Sequence, residues 1–163
     1  MKVCSNTTPF IALASINRLD ILPSLFGEIH VAQAVVDECL AGGRILLPSL
    51  QTLSWIMSHP DEPKPNLPVL FELDRGEQQT IALAQKHPGT QLIIDERMGR
   101  RVAEYLGLRV TGTLGVLAKA KQSGLIPSFS QAAHAMREQG IRFDPRLITR
   151  LAQHLGEHPH KNT

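Results

Sequence analysis

In an open parallel α/β sheet, ligands bind beyond the carboxyl ends of the strands, so a residue that directly follows a strand is placed to meet one. Three such positions in this sequence carry oxygen ligands: Asn6 after the run 2–5, Asp95 after the run 91–94, and Thr111-Gly112-Thr113 after the run 108–110. Two acids on flanking helical stretches, Glu38 in VVDECL and Glu77 in RGEQQ, are positioned to face the same crevice. Carboxylates brought together repel. The neutraliser suited to such a cluster of hard oxygens is Mg²⁺ or Mn²⁺, which needs only one or two carboxylates with water and a substrate phosphate. Thr111 and Thr113 carry two readings, contact with a phosphate or metal-bound water, and plain helix capping.

The elements that must position these residues emerge from hydrophobic periodicity. Short apolar runs alternate with amphipathic stretches of helical spacing, the pattern of β-α units over a parallel sheet. The first strand, 2–5, stops at Asn6-Thr7-Thr8-Pro9, where Pro9 suits a first helical turn and Asn6 to Thr8 offer capping oxygens. A helix comes next, with Phe10, Ile11, Leu13, Ala14 and Ile16 on its apolar face. The spacing then predicts a strand over 27–31, a helix over 32–40 ended by Gly42-Gly43, and a loop-rich insertion over 42–66 with one strand-like run at 54–57. Periodicity returns with a helix over 77–86, the strand 91–94, a helix over 97–106, the strand 108–110 and helices over 114–123, 128–139 and 144–155. A single domain over 1–155 and a frayed tail over 156–163 complete the reading.

The chain has 163 residues, 42% of them hydrophobic, which supplies one sizeable core and excludes a disordered tail or a disulfide-stapled mini-protein. A formal net charge of +2 is too small for bulk charge to announce nucleic-acid binding, so any such surface must come from local clustering. The segment 97–121 supplies it, with Arg97, Arg100, Arg101, Arg109, Lys119 and Lys121 against Glu104 alone. Arg100, Arg101 and Glu104 also fit a solvated face paired at i,i+3 and i,i+4. Arg97 is the stronger functional candidate, because a cation at a helix start opposes the helix dipole and is better satisfied by a site carboxylate or a phosphate. Apolar runs are far too short to cross a bilayer, no signal peptide is apparent, and two cysteines 35 positions apart make no framework, so a cytoplasmic setting is expected. Cys4 and Cys39 read as small buried residues, the histidines form no metal motif, and Trp55 reads as a core or interface anchor.

Four segments, taken in order, resemble the PIN-domain superfamily: SNTTPFIAL from Ser5, GEQQTIALA from Gly76, LIIDER from Leu92 and VTGTLGVL from Val110. The resemblance runs from residue 2 to about 155 and is similar to the prokaryotic branch of VapC-type toxin-like and uncharacterised proteins. It implies a three-layer α/β/α fold around a central, mainly parallel sheet. It also implies an Mg²⁺- or Mn²⁺-dependent endoribonuclease in which a metal-activated water attacks an RNA phosphodiester. Carried over by position, Glu38, Glu77 and Asp95 match the family's acids. Thr7 or Thr8 takes the place of its hydroxyl residue; the candidate contacts to RNA or phosphate are then Thr7 and Thr8, with Arg97, Arg100 and Arg101 from the local basic cluster and Thr111 and Thr113 from their place after a strand. Implied partners are RNA, an antitoxin and a second copy of the chain, for which the apolar faces of 8–26 are available.

The sequence departs from the pattern at Asn6, where the family has its first Asp. An amide oxygen can touch a metal ion but brings no charge. One unit charge at about 4 Å is worth on the order of 4 kcal/mol at an effective dielectric near 20, and a loss of only about 1.4 kcal/mol weakens binding tenfold. The expectation is therefore a weakened or inactive toxin-like nuclease. The alternative is a non-catalytic RNA-binding or protein-binding module that kept the fold.

Overall fold

Residues 2–63 and 68–157 are described by a computed structural model of the chain. Five strands form one sheet: β1 (Val3–Ser5), β2 (Ile29–Ala32), β3 (Ile56–His59), β4 (Gln91–Ile93) and β5 (Arg109–Thr111). Their order is β3-β2-β1-β4-β5, and every pairing is parallel. Eight helices connect and cover them: α1 (Thr7–Ser15), α2 (Ile21–Phe26), α3 (Gln33–Ala41), α4 (Arg75–Gln85), α5 (Arg97–Tyr105), α6 (Thr113–Gln122), α7 (Phe129–Glu138) and α8 (Pro145–His154). The three-layer α/β/α expectation is met, with an all-parallel sheet.

The strands are short apolar runs because both of their faces are buried. Val3, Ile29, Val31 and Ile93 point into one core, with Phe10, Leu13, Leu117 and Phe129 from α1, α6 and α7. Cys4, Leu92 and Ile94 point the other way, into a smaller core with Ile81 and Leu83 of α4 and Val102 of α5. The alternation of two-sided strands thus becomes two hydrophobic layers.

Several boundaries differ from expectation, each for a local reason. The segment after α1 forms a separate helix, α2, because Asn17 adopts φ 57 and breaks the chain direction before Ile21 and Leu22 bury completely. Within 8–26, Phe10, Leu13, Ile21 and Leu22 are fully buried and serve the core, while Ile11, Ile16, Leu19, Leu25 and Phe26 stay partly exposed. The strand-like run within the 42–66 segment is displaced by two residues and joins the sheet as the edge strand β3, with Ile56 opposite Ile29. On this edge His30 and His59 meet ring to ring, Nδ1 to Nε2 at 2.8 Å. Burial, the His59 ring beside His30, and Lys2 beside both hold the two imidazoles below the ordinary histidine range. Residues 64–66 of that segment, Pro65 included, lie outside the described residues.

At the carboxyl end the described residues reach past 155. Glu157 accepts hydrogen bonds from the backbone N–H groups of Phe129 (2.7 Å) and Ser130 (2.9 Å) and from the Ser128 hydroxyl (3.2 Å), so it caps the start of α7 from across the fold. Residues 158–163, with His158 and His160, lie outside the described residues. Burial works against the Glu157 charge, but the donors from Ser130, Phe129 and Ser128 outweigh it and hold the carboxyl at about 2 against an ordinary 4.5. A folded value below the unfolded one gives stability that is present above the unfolded value and lost as pH falls toward the folded one. Replacing Glu157 by Gln is expected to lower stability at neutral pH by on the order of 2 kcal/mol. In urea titrations across pH, the difference from the parent should shrink between about pH 5 and pH 2. A difference that stays constant over that range would contradict the capping role.

Candidate functional site

The order of the strands creates the site. From β1 the chain winds outward through β2 to β3, then crosses back and winds the other way through β4 to β5. The connections leaving β1 and β4 therefore diverge, and a crevice opens beyond the carboxyl ends of this central pair. Asn6 and Asp95 come directly after those two strands. Asn6 is pinned there, its N–H donating to the Ile93 carbonyl at 3.1 Å across the pair. Its side chain is buried, and among the described residues Oδ1 has no hydrogen-bond partner. An unmatched buried carbonyl oxygen costs about 1–3 kcal/mol, and its chemistry suits a donor or a cation.

Next to it, Thr7 donates its hydroxyl to Glu38 Oε2 at 2.5 Å, tying α1 to α3. The Glu38 carboxylate also lies against Gly76 of α4, in space that any Cβ at 76 would occupy. Glycine in the first turn of α4 thus lets the Glu38 carboxylate occupy this place, which a Cβ would force it to leave. One residue on, Glu77 is only 6% exposed. It sits at the third position of α4, whose start is capped by Asp74 accepting the Glu77 N–H at 2.8 Å. On its other side is Gly99 of α5, where a Cβ would stand 3.7 Å from the Glu77 carboxyl carbon. Burial, then the negative charges of Asp74 and Glu96, and to a lesser degree Glu38, raise the Glu77 carboxyl to about 7. Like charges thus crowd a buried group, and no basic side chain among the described residues pairs with it.

Asp95 takes a different course. It accepts from the Thr113 N–H at 2.7 Å and the Thr113 hydroxyl at 2.6 Å, which anchors β4 to the start of α6. Thr113, at the start of α6, thus engages Asp95 through both its N–H and its hydroxyl. Gly112, just before α6, leaves room for Asp95 Oδ1 and Arg100 Nη1, each 2.8 Å from where a Cβ would stand. The contacts fall into two groups: Thr7, Glu38 and Gly76, beside Asn6 and Glu77, form one, and Asp95 with Thr113, Gly112 and Arg100 forms the other. Thr8 is half-buried and makes no polar side-chain contact among the described residues. The Thr111 side chain rests against Gly115.

The basic residues sort in the same way. Lys119 lies over the Phe26 ring, 4.9 Å from its centroid, and Lys121 donates to the Pro127 carbonyl at 2.6 Å, so both are structurally engaged. Arg97, Arg100 and Arg101 make no ion pair within 4.0 Å among the described residues, so the paired helix face with Glu104 is not formed. Arg97 does not reach a site carboxylate and stays exposed at the start of α5. Burial pushes the Cys4 and Cys39 thiols up to about 12, which removes both as nucleophiles. Trp55 stacks near Phe10 with ring centroids 6.4 Å apart, an anchor of the main core.

The donors present suit a hard divalent cation. All are oxygens, one is a buried carbonyl without a partner, and Glu77 is destabilised by neighbours of its own sign, an effect that a cation reverses. Among the described residues no three His, Cys, Asp or Glu side chains are grouped closely enough to hold one ion. The available shell is thus one or two carboxylates with Asn6, which is what Mg²⁺ needs when it keeps several waters. Glu96 and Asp74 belong to the electrostatics of the site and were not among the residues nominated from sequence. The spacing Asp74-x-x-Glu77 is a readable capping signature, and Glu96 adjoins Asp95 in the chain.

Residues 2–157 match the family DUF3368, PIN domain. No curated protein and no solved structure matches the chain. Among the described residues no helix is long and apolar enough to cross a membrane.

The contact between Gly76 and Glu38 predicts a non-additive pair. Alanine in a helix is favoured over glycine by about 1 kcal/mol, but at 76 its methyl must displace the Glu38 carboxylate from Thr7. Thr7→Val is expected to cost about 1.5–3 kcal/mol in the parent, the range of a hydrogen bond to a charged group, and much less in a Gly76→Ala background. Denaturant unfolding of the four variants measures this coupling, and additive costs would show that Gly76 does not hold Glu38 in place.

Proposed function

The chain belongs to the PIN-domain family, a nuclease-like fold whose members are generally dependent on divalent metal, and from that premise we propose that it is a metal-dependent endoribonuclease weakened by Asn6. The observation that carries the reading is the unneutralised crowding at one end of the crevice: the unpartnered Asn6 Oδ1, with Glu77 raised to about 7 by burial and by the acids around it. In this reading Asn6, Glu38 and Glu77 hold Mg²⁺ or Mn²⁺, with Asp95 facing them across the crevice. When bound, the ion supplies charge neutralisation at the phosphate and a water of lowered pKa.

The chain's own residues do the rest. Thr7 fixes the rotamer of Glu38 through its 2.5 Å hydrogen bond. The buried Glu77 carboxyl, held up to about 7 by burial and by the acids around it, is the group whose ionisation a bound cation would favour. Thr113 holds the Asp95 carboxylate in orientation through its two donors. Arg97, Arg100 and Arg101, with no acid pairing them among the described residues, are left to meet phosphates along α5.

A toxin role with an antitoxin partner, and a second copy of the chain in solution, are proposed on the same footing. The exposed Leu46, Phe71 and Tyr105, at 90%, 62% and 79%, are large apolar surfaces that a partner could cover, beside the partly exposed apolar residues of 8–26. A second reading, a non-catalytic binding module, draws on the engagement of Asp95 by Thr113 and on the neutral Asn6.

Calorimetry with Mn²⁺ at neutral pH separates the readings. Asn6→Asp is expected to bind Mn²⁺ at least tenfold more tightly than the parent and to cleave single-stranded RNA faster, while Glu77→Gln loses binding. A parent that cleaves as fast as Asn6→Asp would refute the weakening. Absence of binding to either at millimolar metal would favour the module.

A further inference from the structure

Two cavities, one lined by Glu38 and the other by Asp95, share a single lining loop. The first, about 260 Å³, is walled by Glu38 and Cys39 of α3, Arg44 and Ile45 beyond it, and Gly140 and Ile141. The second, about 350 Å³, is walled by Asp95, Arg100, Leu114, Arg142, Phe143 and Leu147. The residues 139–144 that join α7 to α8 thus hang over the Glu38 end with their first half and over the Asp95 end with their second. Gly140, at φ +94, turns the loop and lies beside Arg44, whose Nη1 is 3.6 Å from where a Cβ would stand. Arg44, Arg100 and Arg142 make no ion pair or side-chain hydrogen bond among the described residues.

We propose that the 139–144 loop roofs a track for one RNA strand across the crevice, with an unpaired nucleotide seated in each cavity. Arg44 holds the backbone on the Glu38 side, and Arg142 with Arg100 holds it on the Asp95 side. The proposal rests on the ribonuclease reading above and adds where the strand lies and which residues outside the motifs grip it. Chemistry selects the occupant. Each cavity pairs apolar walls, Ile45 and Ile141 at one end and Phe143 and Leu147 at the other, with an unanswered guanidinium. That is the complement of a base joined to a phosphate. A base locked in a duplex cannot enter such a cavity, so the strand is single. The acids already present fit the scheme: Glu38 and Asp95 belong to the central site, and Asp144 is occupied at the start of α8, accepting the Arg146 N–H at 2.9 Å. The loop also gives α7 and α8 a role, as the support of the outer wall.

Fluorescence anisotropy of a labelled single-stranded RNA, titrated with the full chain in chelator so that no cleavage occurs, tests the track. Arg44→Ala and Arg142→Ala are each expected to weaken binding about tenfold and to reduce the salt slope by about one phosphate contact. Arg142→Lys should recover most of the loss. Lys86→Ala, at the end of α4 and paired with Glu62 away from both cavities, should bind like the parent. A duplex of the same sequence should bind at least about tenfold more weakly. If the parent binds RNA and both arginine variants bind equally well, or if duplex binds as tightly as single strand, the track is wrong while the nuclease reading stands. If the parent binds no RNA, and only a protein or a second copy occupies the groove, both fall.

Discussion

Val3, Cys4 and Ser5 lie in register with Gln91, Leu92 and Ile93, two segments separated by most of the first half of the chain. No other pairing in the sheet joins the two windings, so the crevice exists because this one does. Connections leaving neighbouring parallel strands in opposite directions cannot cover the gap between them. The residue at the end of each strand is then open to whatever enters, and the sequence places oxygen at both positions. Asn6 is held by the same pairing, through its bond to the Ile93 carbonyl.

The second constraint is electrostatic. A buried carboxylate is tolerated where donors answer it, and the structure answers its acids unequally. Asp95 has two donors from Thr113, Glu38 has one from Thr7, and Glu157 has three at the start of α7. Glu77 is buried with carboxylates for neighbours instead, and its raised pKa records the imbalance. Folding tolerates such a defect only when the remaining contacts exceed it, which the two apolar layers on either side of the sheet supply. The unmatched Asn6 oxygen is a second defect in the same crevice, and the coincidence of the two sets this end apart from the well-satisfied end at Asp95.

Much of the fold is readable from the chain because it is local. Apolar runs two faces deep announce buried parallel strands, and residues immediately after them announce the crevice, so Asn6, Asp95, Glu38 and Glu77 can be nominated from sequence. Asp74 three residues before Glu77 is an equally local signal. The features that escape depend on chain segments meeting across the fold. The pull of Thr113 on Asp95, the clearance that Gly76 gives Glu38, and the position of Arg142 over the second cavity are set by helix packing, which no spacing encodes. The edge strand β3 is blurred because only Ile56 of its residues is buried, leaving a weak alternation. The break at Asn17 is hidden because a left-handed residue there looks like any other polar one.

The late arrival of β4 has a consequence for synthesis. Chains emerge amino end first, and segments of high sequence separation must wait for one another. While only the first three strands have left the ribosome, Asn6, Thr7 and Glu38 are present, but their neighbours on α4 and beyond β4 are not. The crevice therefore cannot form until Gln91–Ile93 is free to pair with β1. Until then a half-made chain carries its acids dispersed, and the newborn polypeptide passes through the cell's translation machinery without a formed centre.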